Sequence, residues 1–204
     1  MELFLTDFLN VAYNWHMESQ RLRQIKAELL PIIREKAFLK LEKPITLTSG
    51  KTSSVYFDGK QITLFPERTL LFAKAALELV DPNQIDCVGG LTIGADPISI
   101  AISLVAYLTK NKMIPAFIVR KEPKKHGLQQ MLEGYQVKKG DRVLVVDDVV
   151  TTAKSTLQAI QAIEQAGGIV AAVSCLVDRE EGGAQALSKY RFIPVFSRSE
   201  LESS

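Results

Sequence analysis

The most informative stretch of this 204-residue chain is Arg142-Val-Leu-Val-Val-Asp147-Asp148-Val-Val-Thr151-Thr152-Ala-Lys-Ser155-Thr156. Its four apolar residues, 143–146, indicate a strand that is buried on both faces, as in a parallel sheet. The strand is expected to end at Asp147 and Asp148, because two carboxylates follow the apolar run directly. Apolar residues then recur at helical spacing from Leu157 to Ile163, before a pair of glycines that is typical of a helix end. The pattern predicts a strand, a polar loop and a helix of an α/β protein.

This strand end has the composition of a binding site. Ligands of open α/β sheets bind at the carboxyl ends of the strands. Free N–H groups at the start of the helix, with the hydroxyls of Thr151, Thr152 and Ser155, are suited to hold a phosphate. Asp147 and Asp148 are suited to accept hydrogen bonds from sugar hydroxyls. The alternative is an ordinary helix start, but two adjacent carboxylates repel each other and need hydroxyls, a metal or a cation nearby.

The composition is that of an ordinary globular protein, with 47% hydrophobic and 24% charged residues and a formal net charge of +2. One domain with a full core is expected at this length. The charge does not suggest a nucleic-acid partner. No apolar stretch is long enough to span a bilayer, and the N-terminus has no secretory pattern, so we expect a cytoplasmic protein without a membrane partner. Cys87 and Cys175 lie in apolar runs and are expected to be reduced core residues.

The rest of the chain is expected to divide at about residue 37. Residues 1–36 have a helical pattern and form an N-terminal helical segment, ahead of a domain of residues 37–204. Within that domain, about 37–66 predict a small β hairpin, and about 67–197 alternate between strand and helix patterns. Residues 192–196 predict an edge strand, because Pro194 cannot donate a ladder hydrogen bond.

A glycine-rich stretch, Gly89-Gly90-Leu-Thr92-Ile-Gly94-Ala-Asp96-Pro97, follows a second predicted strand. Asp96 as N-cap and Pro97 as the first helical residue predict the start of a helix. The glycines indicate either a tight strand-to-helix turn or a cradle of backbone N–H groups for an anion. Both interpretations stay open from these residues alone.

A run of cationic residues from Arg120 to Gly134 follows a third predicted strand, 116–119. Such a run is usually a solvated loop. Arg120 and Lys121, however, directly follow a buried strand, so they are expected at the same sheet edge as Asp147. Their charge there is suited to a strongly anionic group.

Three stretches together resemble the type I phosphoribosyltransferases, and the orotate phosphoribosyltransferases in particular. The apolar run, Asp-Asp and Thr-Thr of 142–156 resemble the loop that binds phosphoribosyl pyrophosphate (PRPP). Leu-Thr-Ser-Gly with Val-Tyr-Phe-Asp in 47–58 resembles a small hood, and Arg-Lys-x-x-Lys-x-His-Gly in 120–127 resembles the catalytic loop. The resemblance covers roughly residues 37–197. It implies a type I phosphoribosyltransferase-like α/β fold, with a central parallel sheet flanked by helices and a small N-terminal β hood.

The resemblance implies transfer of ribose 5-phosphate from PRPP to orotate, giving orotidine 5′-phosphate and pyrophosphate in pyrimidine biosynthesis. It implies catalytic roles for Lys124, His126 and Asp148, and orotate binding by Thr151 and Arg179, whose guanidinium matches a carboxylate. Mg²⁺ is the implied cofactor, held indirectly by Asp147 and Asp148 through ribose hydroxyls or water. The residues implied in PRPP binding are Arg120, Lys121, Lys124, His126, Asp147, Asp148, Val149, Val150, Thr151, Thr152, Ala153, Lys154 and Ser155.

The resemblance also implies a homodimer in which the loop around Lys121 is shared between subunits. Three positions depart from the family pattern. Thr48 and Ile93 stand where some relatives have lysine, and Ala153 stands where glycine is usual, which raises the cost of a positive φ. Two alternatives stay open, namely a phosphoribosyltransferase for another base and a regulator that binds PRPP without catalysis.

Overall fold

The structure of the chain, a computed structural model, describes residues 20–46, 52–122 and 131–203. The helices in these ranges are α1 (20–36), α2 (Lys60–Thr63), α3 (Pro66–Leu79), α4 (Asp96–Lys110), α5 (Lys154–Gln165), α6 (Gly183–Ala186) and α7 (Arg198–Glu202). The strands are β1 (Phe38–Thr46), β2 (Thr52–Phe57), β3 (Cys87–Leu91), β4 (Ala116–Val119), β5 (Leu132–Gly134), β6 (Arg142–Val150), β7 (Ile169–Asp178) and β8 (Phe192–Ser197). A short 3₁₀ turn covers Pro82–Gln84.

The central sheet has six strands in the order β5-β4-β3-β6-β7-β8. Five of them are parallel, which confirms the predicted parallel sheet, and β8 with Pro194 lies at one edge as expected. The other edge differs from the prediction, since β5 pairs antiparallel with β4. Residues 132–134 were expected to belong to the cationic loop. Three residues are too few to show an alternating pattern, so this strand depends on its partner.

Helices pack on both faces of the sheet. Helix α1 lies in the segment whose sequence predicted a helical pattern, and its Leu29 and Ile33 are fully buried in one core cluster with Phe72 of α3 and Ile102 of α4. The cluster on the other face includes Ile160 of α5. Residues 1–19 of the predicted N-terminal segment lie outside the described residues. None of the described helices has the length and apolar character that crossing a bilayer requires.

The predicted hairpin forms a separate two-stranded antiparallel sheet. Its register pairs Phe38 with Phe57 and Thr46 with Thr52, and an irregularity lies between Lys40 and Ile45. Pro44 lies within that interval, where it does not have to donate a ladder hydrogen bond. The small N-terminal β hood is therefore present.

Candidate active site

The sequence predicted that strand β6 ends at the two aspartates. In the structure β6 continues past them to Val150. Its pairing with β3 stops at Val145, opposite Gly89, whereas its pairing with β7 continues to Val150, opposite Asp178. Polarity therefore marks the point where β6 loses one neighbour and keeps the other. The two carboxylates lie at this one-sided opening of the sheet.

Asp147 is buried, with 5% of its surface exposed, and it is surrounded by donors. Its Oδ2 accepts hydrogen bonds from the hydroxyls of Ser155 (2.9 Å) and Thr156 (3.0 Å), and its Oδ1 accepts one from the backbone N–H of Asp148 (3.0 Å). Burial and the neighbouring charge of Asp148 raise the pKa of Asp147 to about 7. The carboxylate thus ties the first turn of α5 to β6.

Asp148 lies between two glycines. A β-carbon on Gly59 would lie 2.6 Å from its Oδ2, and one on Gly94 would lie 2.7 Å from its Oδ1. Side chains at these positions would therefore occupy the volume of the carboxylate. Burial raises the pKa of Asp148, and the positive charge of Lys60 opposes that rise. The backbone N–H of Val149 donates to Oδ1 at 2.9 Å.

Three residues of this arrangement were missed by sequence reasoning. They are Gly59, Lys60 and Thr156. Lys60 begins α2 beside the hood, and its Nζ lies 3.3 Å from Asp58 Oδ1. Lys60 follows the quoted Val-Tyr-Phe-Asp pattern directly, but its nearness to Asp148 depends on how the hood packs over the sheet.

The predicted phosphate loop leads into α5 through Ala153, which has φ 62° and ψ 15°. The sequence reasoning that Ala raises the cost of a positive φ applies here, because a left-handed conformation costs an L-residue about 1–2 kcal/mol. A cavity of about 530 Å³ opens beside the loop. Its lining residues are Leu91, Lys121, Val149, Thr151, Thr152, Ala153, Lys154, Ser155 and Gln158.

Lys121 therefore lies at the predicted phosphate loop, on the same sheet edge as Asp147, as its place after a buried strand predicted. Its backbone carbonyl accepts a hydrogen bond of 2.9 Å from the side-chain amide of Gln158 on α5. Arg120 faces a neighbouring cavity of about 520 Å³ that Thr92 and Asp96 also line. Lys124 and His126 lie outside the described residues.

Arg120 is held at the base of the cationic loop. Its Nη1 lies 2.7 Å from Glu133 Oε1, and its backbone N–H donates to the carbonyl of Met131 at 2.8 Å. The second bond joins the two ends of the loop beside the β4–β5 pair. The Arg120 side chain is 42% exposed, so an anion can reach it.

The glycine-rich stretch differs from its predicted arrangement. Gly89 and Gly90 belong to β3 rather than to a turn. A β-carbon on Gly90 would lie 2.1 Å from the carbonyl oxygen of Val146, so close strand packing explains this glycine. The turn itself covers 92–95, and its Thr92–Ile93 peptide bond is cis.

Asp96 is the first residue of α4 rather than its N-cap, which is Ala95. Its Oδ2 accepts a hydrogen bond of 2.7 Å from the Thr92 hydroxyl. Among the described residues, nothing donates to its buried Oδ1. The carboxylate still acts on the helix start, but from inside the first turn.

Arg179 follows β7 directly, and β7 pairs with β6, the strand that carries the aspartates. Arg179 is 8% exposed, and its backbone N–H donates to the Val150 carbonyl at 2.9 Å. Its Nη2 lies 2.8 Å from Glu181 Oε1. Thr151 lies between the two regions, since it lines the loop cavity and its carbonyl oxygen would meet a β-carbon on Gly183 at 2.9 Å.

Comparisons with known proteins identify close relatives. No protein-family model matches the chain. The chain is 43% identical over 177 residues to an orotate phosphoribosyltransferase of Aquifex aeolicus, covering 86% of this chain and 95% of that protein.

Solved structures of the same family cover a similar share of the chain. The structure of Mycobacterium tuberculosis orotate phosphoribosyltransferase in complex with Fe(III) dicitrate matches with a TM-score of 0.74 and 36% identity, covering 88% of this chain and 99% of that one. The same protein in complex with PRPP matches with a TM-score of 0.71 and 34% identity, at the same coverage. Sequence and structural matches therefore agree.

Proposed function

The chain belongs to the orotate phosphoribosyltransferase family, and we propose that it transfers ribose 5-phosphate from PRPP to orotate. The products are orotidine 5′-phosphate and pyrophosphate, and the enzyme is a pentosyltransferase of pyrimidine biosynthesis. One observation carries the assignment. The buried carboxylate of Asp147 and the half-buried carboxylate of Asp148 lie beside a loop cavity at a helix start that Lys121 also lines.

The loop of residues 151–155 holds the 5′-phosphate of PRPP in this proposal. Backbone N–H groups at the start of the twelve-residue helix α5 have no partner within the helix, and the helix dipole favours an anion there. The hydroxyls of Thr151 and Thr152 add donors. The Ser155 hydroxyl already donates to Asp147, so its contribution is to hold the loop and the carboxylate together.

The ribose hydroxyls are held by the carboxylates. Asp147 already accepts three hydrogen bonds from the chain, so Asp148 is the better placed acceptor for a sugar hydroxyl. Lys60 favours the ionised form of Asp148, the form that accepts from two sides. The reacting sugar carbon is thereby fixed beside the cationic residues.

Substitution at this carbon breaks its bond to pyrophosphate, which leaves with the electron pair. The N1 nitrogen of orotate supplies the electron pair of the new bond and gives up its proton, which an oxygen of the departing pyrophosphate can accept. The transition state resembles an oxocarbenium ion, so positioning and charge stabilisation supply most of the catalysis. We assign the charge on the leaving pyrophosphate to Arg120, Lys121, Lys124 and His126. Lys124 and His126 act as catalytic residues, and His126 can also donate a proton.

Mg²⁺ fits the donor set. Mg²⁺ prefers hard oxygen ligands, and it usually keeps several waters and binds substrate phosphate oxygens. Asp147 already accepts three hydrogen bonds from the chain, so we assign Asp147 and Asp148 an indirect role, in which they would act on the ion through ribose hydroxyls or water. When bound, the ion neutralises charge on the pyrophosphate.

A homodimer completes the proposal, with the loop around Lys121 shared between subunits. One face of α4 supports it, because Ile100, Leu104, Tyr107 and Leu108 are each more than half exposed at helical spacing. Such an apolar patch is typical of an interface, and a second copy of the chain is the partner we propose. A single-chain mass in light scattering would contradict the dimer.

The remaining proposals concern organisation and location. We propose residues 1–36 as an N-terminal helical segment ahead of a domain of 37–204. Its described part, 20–36, packs on the core through Leu29 and Ile33. Buried free Cys87 and Cys175 are consistent with a reducing cytoplasm. Neither nucleic acid nor membrane is a proposed partner.

Calorimetry with PRPP and Mg²⁺ tests the binding half of the proposal, and competition among orotate, uracil and adenine tests the base. We expect PRPP binding that Asp148→Asn weakens, and transfer to orotate alone. Transfer to another base with none to orotate would contradict the proposed substrate. PRPP binding without transfer to any base would indicate a regulator.

A further inference from the structure

Arg179 has a buried carboxylate partner in its own turn. The side chains of Arg179 and Glu181 are only 10% and 12% exposed, and Nη2 and Oε1 lie 2.8 Å apart. Burying two charges is costly unless their geometry is good and further hydrogen bonds satisfy them. The pair is therefore a specific arrangement rather than a chance surface contact.

Glu181 is poorly explained as a stabilising residue. Its second oxygen, Oε2, is buried and accepts no hydrogen bond from the described residues. A buried acceptor without a donor is destabilising, and an apolar residue of similar volume often replaces a buried ion pair without loss. The carboxylate must be explained by what it does to Arg179.

The turn that brings Glu181 onto Arg179 is fixed at both ends. Glu180 has a φ of 55°, and its carboxylate accepts hydrogen bonds from the backbone N–H (2.8 Å) and hydroxyl (3.0 Å) of Ser199. A β-carbon on Gly183 would lie 2.4 Å from Val150 Cγ1, so the turn is seated directly on β6. The position of Glu181 is therefore set relative to the strand that carries the aspartates.

We infer that Glu181 is a positioning residue that holds one end of the Arg179 guanidinium, so that its remaining donors face the orotate carboxylate. The inference rests on the proposed clamp role of Arg179. A guanidinium has five N–H donors in a rigid fork, and the Glu181 contact engages only Nη2. A fork fixed beforehand loses less rotational freedom when a second carboxylate binds.

Three variants test the inference by steady-state kinetics with orotate and PRPP. Glu181→Ala is expected to raise the KM for orotate about tenfold, with little change in the KM for PRPP. Removing a residue that orients a metal ligand has an effect of this size at metal sites. Glu181→Gln keeps an acceptor of the same length and is expected to restore most of the orotate affinity. Glu202→Ala is the matched control, since it removes an exposed glutamate–arginine pair with Arg198 that lies outside this turn, and it should leave the KM for orotate unchanged.

Arg179→Gln separates this inference from the proposed clamp, and is expected to raise the KM for orotate about a hundredfold. No change in Arg179→Gln would overturn the clamp and the inference together. A rise in Arg179→Gln without a rise in Glu181→Ala would overturn the inference alone. If Glu181→Ala does not fold, Glu181→Asp replaces it. The shorter side chain is expected to displace the guanidinium. An unchanged KM for orotate in Glu181→Asp would also overturn the inference.

Discussion

Gly94 lies against Asp148, so closely that a β-carbon at residue 94 would be 2.7 Å from the carboxylate oxygen Oδ1. The turn between β3 and α4 and the strand β6 are distant in sequence, yet they share this contact. The absence of a side chain at Gly94 therefore leaves room for the carboxylate that we assign to the ribose. The turn between β3 and α4 and the carboxylate of Asp148 therefore form one packed unit.

Gly94→Ala should displace the Asp148 carboxylate and lower kcat/KM for PRPP about a hundredfold, because small misplacements of positioning groups cost that much. The measurement is steady-state kinetics with PRPP varied. Gly140→Ala is the control. Gly140 has a φ of 89°, so Ala is strained there, but nothing lies within 4 Å of its added β-carbon. Equal losses in the two variants would mean that strain, and not the carboxylate, lowers the activity.

The free energy of unfolding should fall between pH 4 and pH 7 because of Asp147. Its pKa is raised from 3.8 in the unfolded chain to about 7 in the fold. The folded state therefore keeps a proton that the unfolded state has lost, and this contribution to stability disappears as the pH rises through that window. Asp147→Asn cannot lose the proton, so its stability should depend less on pH. Urea unfolding at pH 5 and pH 8 gives the change in the free energy of unfolding with pH for the natural chain and for Asp147→Asn. The same change in both would contradict a raised pKa of Asp147.

Substitutions of Ala153 should affect stability in opposite directions. Glycine tolerates the positive φ, which offsets the loss of one buried methyl worth about 0.8 kcal/mol. We expect Ala153→Gly to be at least as stable as the natural chain. Ala153→Val should lose about 2–3 kcal/mol, because a β-branched side chain is disfavoured at positive φ and the site is buried. Chemical denaturation compares the three, and equal midpoints would contradict the left-handed conformation.

Removing the charge of Lys60 should move the acid limb of the activity profile to higher pH. Lys60 opposes the burial that raises the pKa of Asp148, so Lys60→Met should raise that pKa further. Asp148 then loses its ionised form, and with it ribose binding, at a higher pH. Lys60→Arg should restore the profile. The measurement is kcat/KM for PRPP against pH, and identical limbs in Lys60→Met and the natural chain would show that Lys60 does not act on Asp148.

The parts of this site that the sequence predicted are those set by local pattern. The apolar run of β6, the helix α5 and the order of cationic and acidic strand ends follow from residues that are neighbours in the chain. The course of β6 to Val150 was not predicted, because its pairing with β7 outweighs the polarity of two aspartates. Strand β5 was missed for a similar reason. Gly59 and Glu181 became visible only when the hood and the last turn packed against the sheet.

The proposed reaction is tested by the loss of orotate's ultraviolet absorbance when the purified protein is mixed with PRPP, Mg²⁺ and orotate, beside an Asp148→Asn control. We expect turnover in the natural chain and almost none in the control, although both remain folded. Absence of turnover in the natural chain would contradict the proposed reaction. Equal turnover in the two would contradict the assignment of the ribose site to Asp148.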